Sequence, residues 1–328
     1  MRAIVCDNAD TSLASMHLAE RPVPEPGPGQ VRVRLHAASL NPVDWKLADG
    51  TAPWLTPGQV LGVDGAGVVD QLGPGVQDWQ VGDRVVWHAN LREPGVFAEY
   101  SLAPAHVLAR IPATVDFLSA AALPCAALTA YQALVRKANL QAGQTLLVQG
   151  ASGAVGGFAV QLGKLIGAQV IALARQSQAQ RVRELGADAV FQRDDPALIA
   201  KIKAMTAGGY GVDAMLEVVN PGDARRSLDL LHYNGHLLCI DPMPNLTQVP
   251  PYTYAASIHE VALGGAYAAG HRPTQEDFAV MLAASLELVA NGKLFPMIER
   301  TIELAEVPAG LKALRRGDQP GKTLVTIN

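Results

Sequence analysis

Cysteine is scarce in this 328-residue chain: Cys6, Cys125 and Cys239 are an odd number, far apart, and no two form a CxxC pair. Neither a disulfide framework nor a four-cysteine structural zinc site fits that spacing. Basic charge is not in excess either. With 26 Lys and Arg against 30 Asp and Glu the formal net charge is −4, so there is no electrostatic footprint for nucleic acid and no polybasic patch for a membrane surface. No apolar run approaches the roughly 18 residues of a membrane span. The first one, MRAIVC, breaks at Asp7, too early for a signal-peptide core. A cytoplasmic location and small soluble partners are therefore expected. Repeats and low-complexity tracts are missing, and the Pro-rich RPVPEPGPG at 21–29 reads as a turn-rich connection. At 49% hydrophobic and 17% charged residues the chain has the composition of a globular protein, with length for two cores.

What is present centres on residues 145–157, TLLVQGASGAVGG. Leu146, Leu147 and Val148 read as a buried parallel strand that stops at a glycine turn and gives way to a helix. Gly150, Gly153 and Gly156, with Ser152 between them and Ala154 and Val155 opening the helix, let backbone N–H groups approach a pyrophosphate. The spacing is GxxGxxG rather than the commoner GxGxxG, and a glycine turn with no ligand is the competing reading. Apolar residues at helical spacing (Val155, Phe158, Ala159, Leu162, Leu165, Ile166) predict a helix from Ala154 to a C-cap at Gly167. Val170 to Ala174 is the expected second strand. An NAD-specific site would place an acid at its end for the ribose 2′-hydroxyl, but the chain reads Ala174, Arg175, Gln176, Ser177, with no acid before Glu184. Arg175 can fork onto a 2′-phosphate, Ser177 can donate to it and Arg181 can add a second cation, so NADPH is the expected cofactor. The competing reading of Arg175 is a solvated charge at a strand end.

Texture divides the chain. The first part reads as all-β: Val31, Val33 and Leu35 alternate with polar residues, and strands are predicted at 66–72, 84–88 and 97–102 between Gly/Pro turns. From about residue 120 apolar helices alternate with strands at 145–149, 170–174, 188–191, 213–218 and 236–240, the pattern of a doubly wound parallel sheet. A sixth strand is predicted around 258–264 and an amphipathic helix over 275–291. The tail, KTLVTIN, is expected to return to the β domain. The expected domains are thus 1–119 with 268–328, and 120–267.

This order of parts, with NPVDWK at 41–46, GVDGAGVV at 62–69, VGDRV at 81–85, FAEYSL at 97–102 and LPCAALTAYQAL at 123–134, resembles the zinc-independent quinone oxidoreductase branch of the medium-chain dehydrogenase/reductase superfamily. The resemblance implies an α/β fold in which a Rossmann domain is inserted in a GroES-like, barrel-like β domain, an active site in the cleft between them, and homodimers. It also implies that zinc is not used. Zinc-dependent alcohol dehydrogenases of the superfamily use a Cys, a His-Glu pair and a second Cys or Asp. Here the first falls in Asn41 to Val43, the histidine is Val63 of Gly62-Val63-Asp64, and only Cys125 stands where a ligand could. One thiol cannot make a catalytic zinc site with three protein ligands, and Cys125 reads instead as a small buried residue near the cofactor.

Without a Lewis acid, negative charge collecting on a single ketone oxygen is poorly stabilised. A hydride added to a quinone, or to the β-carbon of an enone, spreads that charge, and a few hydrogen-bond donors then suffice. The resemblance points to Asn41 as donor to the substrate oxygen or the nicotinamide ribose. Lys46 stands where relatives often carry Tyr, and could stabilise the oxyanion or donate a proton while Asp44 orients it; a surface ion pair is the competing reading. Thr129, Asn220, Ile240, Gly265 and Tyr267 fall where relatives line the ribose and carboxamide, with strand-end packing as the alternative. His88 could face the cleft but reads rather as a hydrogen-bonded structural residue, and Trp45, Trp54 and Tyr131 read as an aromatic wall or as core filling. The expected function is NADPH-dependent reduction of quinones or α,β-unsaturated carbonyls. A non-catalytic NADPH-binding sensor or structural protein and a zinc-free alcohol or aldehyde oxidoreductase are the alternatives.

Overall fold

The computed structural model describes residues 1–6, 13–218, 224–240, 243–247, 249–317 and 320–328. The strands in chain order are β1 (Arg2–Cys6), β2 (Met16–Glu20), β3 (Gln30–Ser39), β4 (Gln59–Val60), β5 (Asp64–Leu72), β6 (Arg84–His88), β7 (Tyr100–Pro104) and β8 (Ala109–Arg110), then β9 (Thr145–Gln149), β10 (Gln169–Leu173), β11 (Ala189–Phe191), β12 (Val212–Glu217), β13 (Leu231–Cys239) and β14 (Ser257–Glu260), and last β15 (Ile298–Glu303) and β16 (Lys322–Thr326). The α-helices are α1 (Pro42–Lys46), α2 (Phe117–Ala121), α3 (Pro124–Tyr131), α4 (Ala154–Ile166), α5 (Ala179–Glu184), α6 (Leu198–Ala204), α7 (Ala224–Leu228), α8 (Gly265–Ala268), α9 (Arg272–Ala290) and α10 (Val307–Arg315).

These elements gather into two units, Met1–Leu128 with Leu263–Asn328, and Thr129–Ala262. The sequence-based boundaries, 119/120 and 267/268, cut through both α2 and α8. Both belong to the first, because α2 packs on β3 and β5 and the chain at Gly264 lies so close to Leu91 that a Cβ there would sit 2.4 Å from its Cδ1.

In the first unit a seven-stranded sheet runs β15-β16-β3-β5-β6-β8, with β7 also paired to β3, and a small sheet runs β2-β1-β4. All pairs are antiparallel except β15 with β16. Along β3 the alternation of Val31, Val33 and Leu35 with polar residues turns the apolar side chains inward, where they share a core with Ile4, Trp87 and Phe97. Each such side chain, removed from water, stabilises the fold by roughly 1.5–3 kcal/mol.

The second unit holds one sheet in the order β11-β10-β9-β12-β13-β14, every pair parallel. This is the strand order of the doubly wound dinucleotide-binding fold. β9 is buried along its whole length, as the central strand of a sheet covered on both faces must be. α4 ends where Gly167 turns left-handed at φ 92°, and Ala168 N–H donates back to the Gly163 carbonyl at 3.0 Å, closing the helix as a C-cap glycine does.

Candidate active site

Strand register in the first unit sets up a buried polar cluster. Pairing places Asp64, the first residue of β5, opposite Ser39 of β3 on one side and His88 of β6 on the other. β16 runs beside β3 and brings Lys322 into the same place. Asp64 and Lys322 are 0% and 2% exposed, and their charges meet, Nζ to Oδ2, at 3.0 Å. The carboxylate is saturated: Oδ2 accepts from Ser39 Oγ at 2.7 Å, Asn41 Nδ2 at 2.8 Å and Lys322 Nζ, while Oδ1 accepts from the Cys125 N–H at 2.8 Å. Lys322 also donates to Asn41 Oδ1 at 2.7 Å. An ammonium has no acceptor, so this contact fixes which way the Asn41 amide faces. The Asn41 Nδ2 group donates to Asp64 and, at 3.3 Å, to the Ser39 carbonyl.

Asp44 and Lys46 are two residues apart on α1 and face different directions. Asp44 is wholly buried and its Oδ2 accepts the Asn41 N–H at 2.7 Å, satisfying a donor at the start of α1. Its Oδ1 has no hydrogen-bond partner among the described residues. Burial first, and then the charge of Asp64, push the Asp44 carboxyl well above the usual carboxylate range, so the neutral acid is favoured. Lys46 is half-buried, and desolvation lowers its ammonium below the ordinary lysine value. Burial likewise lowers His88, whose Nδ1 has no hydrogen-bond partner among the described residues, and raises Cys125. At neutral pH these two are an imidazole and a thiol.

In the second unit the expected phosphate turn follows β9. Gly150 has φ 68°, a left-handed conformation that glycine adopts without strain. At Gly156 a Cβ would lie 2.3 Å from the Gly150 carbonyl oxygen, whereas at Gly153, the N-cap of α4, it would meet only that oxygen at 3.4 Å. Packing within the chain therefore demands glycine at 156 but not at 153. The bare Gly153 leaves open the space in front of the N–H groups of Ala154, Val155 and Gly156, which have no acceptor inside the helix. A dinucleotide pyrophosphate fits such a cradle. Gly156→Ala is expected to cost about 1–3 kcal/mol of stability and to weaken dinucleotide binding about tenfold or more, roughly 1.4 kcal/mol. Chemical denaturation and titration with the reduced dinucleotide measure the two effects.

Arg175, Gln176 and Ser177 are exposed at the carboxyl end of β10, on the sheet edge where Gly150 follows β9 and Ile240 follows β13. Thr129 is buried on α3. Asn220 lies outside the described residues. Gly265 and Tyr267 belong to the first unit, where the Tyr267 hydroxyl donates to the His88 carbonyl. The three aromatics expected to form a wall each carry an arginine over the ring: Arg315 on Trp45, Arg92 on Trp54 and Arg136 on Tyr131. Lys322 was not foreseen. Its only sequence signal is a charge opening the short strand KTLVT.

Two separately built units, one with a dinucleotide cradle and one with a buried acid-base cluster, define an oxidoreductase architecture. Residues 27–113 match the alcohol dehydrogenase GroES-like domain and residues 154–285 match the zinc-binding dehydrogenase family. The chain is 32% identical to a human quinone oxidoreductase, with 87% of this chain and 85% of that one covered. It is 35% identical to a chloroplast envelope quinone oxidoreductase homolog of Arabidopsis thaliana, with 78% of each covered. Among solved structures, an alcohol dehydrogenase superfamily protein from Novosphingobium aromaticivorans superposes with a TM-score of 0.88 at 31% identity over 100% of both chains. The chain belongs to the medium-chain dehydrogenase/reductase superfamily, in its quinone oxidoreductase-like branch. It is an oxidoreductase whose cofactor is a nicotinamide dinucleotide. No helix among the described residues is long and apolar enough to cross a membrane.

The family description raises the question of zinc. Asp64, His88 and Cys125 offer ligand atoms within 4.8 Å of one another, which is metal-ligand spacing. Those residues do not fit a divalent ion as they stand. Both Asp64 oxygens are already hydrogen-bonded, and a dication about 4 Å from the Lys322 ammonium would be repelled by about 8 kcal/mol even at an effective dielectric constant of about 20.

Proposed function

We propose that this chain is an NADPH-dependent reductase of quinones or α,β-unsaturated carbonyls that works without zinc. The observation that carries this reading is the Lys322–Asp64 contact at 3.0 Å between two buried side chains, which spends the cluster's carboxylate on an internal ammonium. With no Lewis acid to gather charge on one oxygen, the acceptor itself must spread it, and conjugated acceptors do. When bound, the nicotinamide cofactor supplies the hydride.

The chain's own residues then manage the proton. Lys46, with its ammonium lowered by desolvation, gives up a proton from Nζ more readily than a solvated lysine. Burial, which pushes the Asp44 carboxyl up, lessens the negative charge that this side chain sets against a developing enolate or quinol anion. Asn41, locked by Lys322 and Asp64, holds the start of α1, which carries both. Glycines 150, 153 and 156 with the N-terminus of α4 hold the pyrophosphate, and Arg175 and Ser177 read the 2′-phosphate.

The test is oxidation of NADPH by chelator-treated protein against an ortho-quinone, a linear enone and a saturated aldehyde, with NADH in parallel. Quinone or enone turnover should survive chelation while the aldehyde reacts poorly. Loss of turnover on chelation removes the zinc-free reading. Tight NADPH binding with no turnover of any acceptor moves the assignment to a non-catalytic NADPH-binding protein.

A further inference from the structure

The cluster around Asp64 has the composition of a metal site and the contents of an ion pair. One carboxylate, one imidazole and one thiol lie within 4.8 Å of one another. Three protein ligands is the number that a catalytic zinc takes. Yet the cation beside the carboxylate is an ammonium, at 3.0 Å from Oδ2. We propose that Lys322 is the resident cation of a latent metal site: its ammonium stands in the place of a divalent ion and keeps Asp64, His88 and Cys125 closed to one. This deepens the zinc-free reading given above and rests on it.

Three observations support the substitution. First, the ammonium meets the one oxygen that also takes Ser39 and Asn41, so the acceptor positions on Oδ2 are filled while Lys322 is present. Second, the His88 Nδ1 is buried and has no hydrogen-bond partner among the described residues, which leaves spare donor-acceptor capacity on the ring that belongs to the set. Third, the charges balance in either state. Today one carboxylate faces one ammonium at 3.0 Å. Removing the ammonium and adding a dication would let the thiol release its proton on binding, so that a carboxylate and a thiolate together neutralise the metal. The missing ligands at Asn41 to Val43 and Val63 are therefore only part of the reason for metal independence. Lys322 enforces it.

Cobalt(II) is the probe, because a thiolate ligand announces itself in a charge-transfer band that a merely structural change does not produce. Wild type, Lys322→Met, Lys322→Gln and Lys322→Met with Cys125→Ser, all freed of metal by chelator, are titrated with cobalt under anaerobic conditions. Wild type should remain spectrally silent. Lys322→Met should take up about one equivalent per chain with the thiolate band, and the Cys125→Ser partner should abolish the band. Recovery of a misfolded Lys322→Met by cobalt supports the proposal equally. A folded Lys322→Met or Lys322→Gln that takes no cobalt overturns it, as does failure of both to fold with cobalt present. Those results leave the zinc-free reading standing. Wild-type protein that shows the thiolate band at stoichiometric cobalt instead overturns both.

Discussion

Lys322→Met, kept in chelator, should lose about 3–5 kcal/mol of unfolding free energy, because it leaves the Asp64 carboxylate buried without a counter-charge. Asp64 is 0% exposed, so the charge has no route to water. Asp64→Asn alone leaves the opposite fault, a buried ammonium, and should also be costly. The informative construction is the double variant. With both charges gone, the Asp64→Asn side chain can accept the Cys125 N–H through its one oxygen and turn its NH2 to the Ser39 hydroxyl, which can also accept, and most of the loss should return, since a buried ion pair contributes little net stability over a neutral replacement. Urea unfolding of the four proteins gives the coupling directly. Additive losses would mean that the two side chains act independently, contrary to the 3.0 Å contact.

The second large effect concerns the cofactor. Arg175→Ala should raise the KM for NADPH by roughly 30–150-fold and leave the NADH value nearly unchanged, because a charge-assisted fork onto a phosphate is worth about 2–3 kcal/mol and NADH offers no phosphate. The position argues for this role: Arg175 is exposed just past the end of β10, and Ala174, Gln176 and Ser177 around it supply no acid for a 2′-hydroxyl. Steady-state kinetics with each dinucleotide decide the matter. A wild-type preference for NADH, or an equal loss with both cofactors, would remove the proposed contact.

How much of this was legible in the sequence depended on distance along the chain. The β9 turn and α4 were readable because strand, glycines and helix are contiguous, and the predicted span 145–149 coincides with β9. β13 was read only from residue 236, yet it begins at Leu231. Its first half includes exposed Tyr233 and Asn234, so it lacks the apolar run that marks a buried strand. The predicted strand at 97–102 is displaced to Tyr100–Pro104. Phe97 and Ala98 are instead taken by β1, through a bridge between Ala98 and Ala3 and a bond from the Ile4 N–H. Helix α9 starts at Arg272 rather than 275, with a proline in its first turn. At the candidate site the residue types near Asn41 were visible, but their partners were not. Asp44 turns inward to its own helix start instead of toward Lys46, and Lys322 reaches Asn41 across 281 residues. No local pattern encodes a contact of that separation.

That separation also orders the assembly of the protein. The second unit is a continuous stretch, 129–262, inserted between the two parts of the first. Its six parallel strands can pair while the first unit still lacks β15 and β16. Asp64 and Lys322 are 258 residues apart, which at about 5–20 residues per second of synthesis is a wait of roughly 13–50 s. Throughout that interval Asp64 lacks the counter-charge that accompanies its burial in the complete fold. The sheet of the first unit can therefore be completed only after the whole of the second unit has been synthesised.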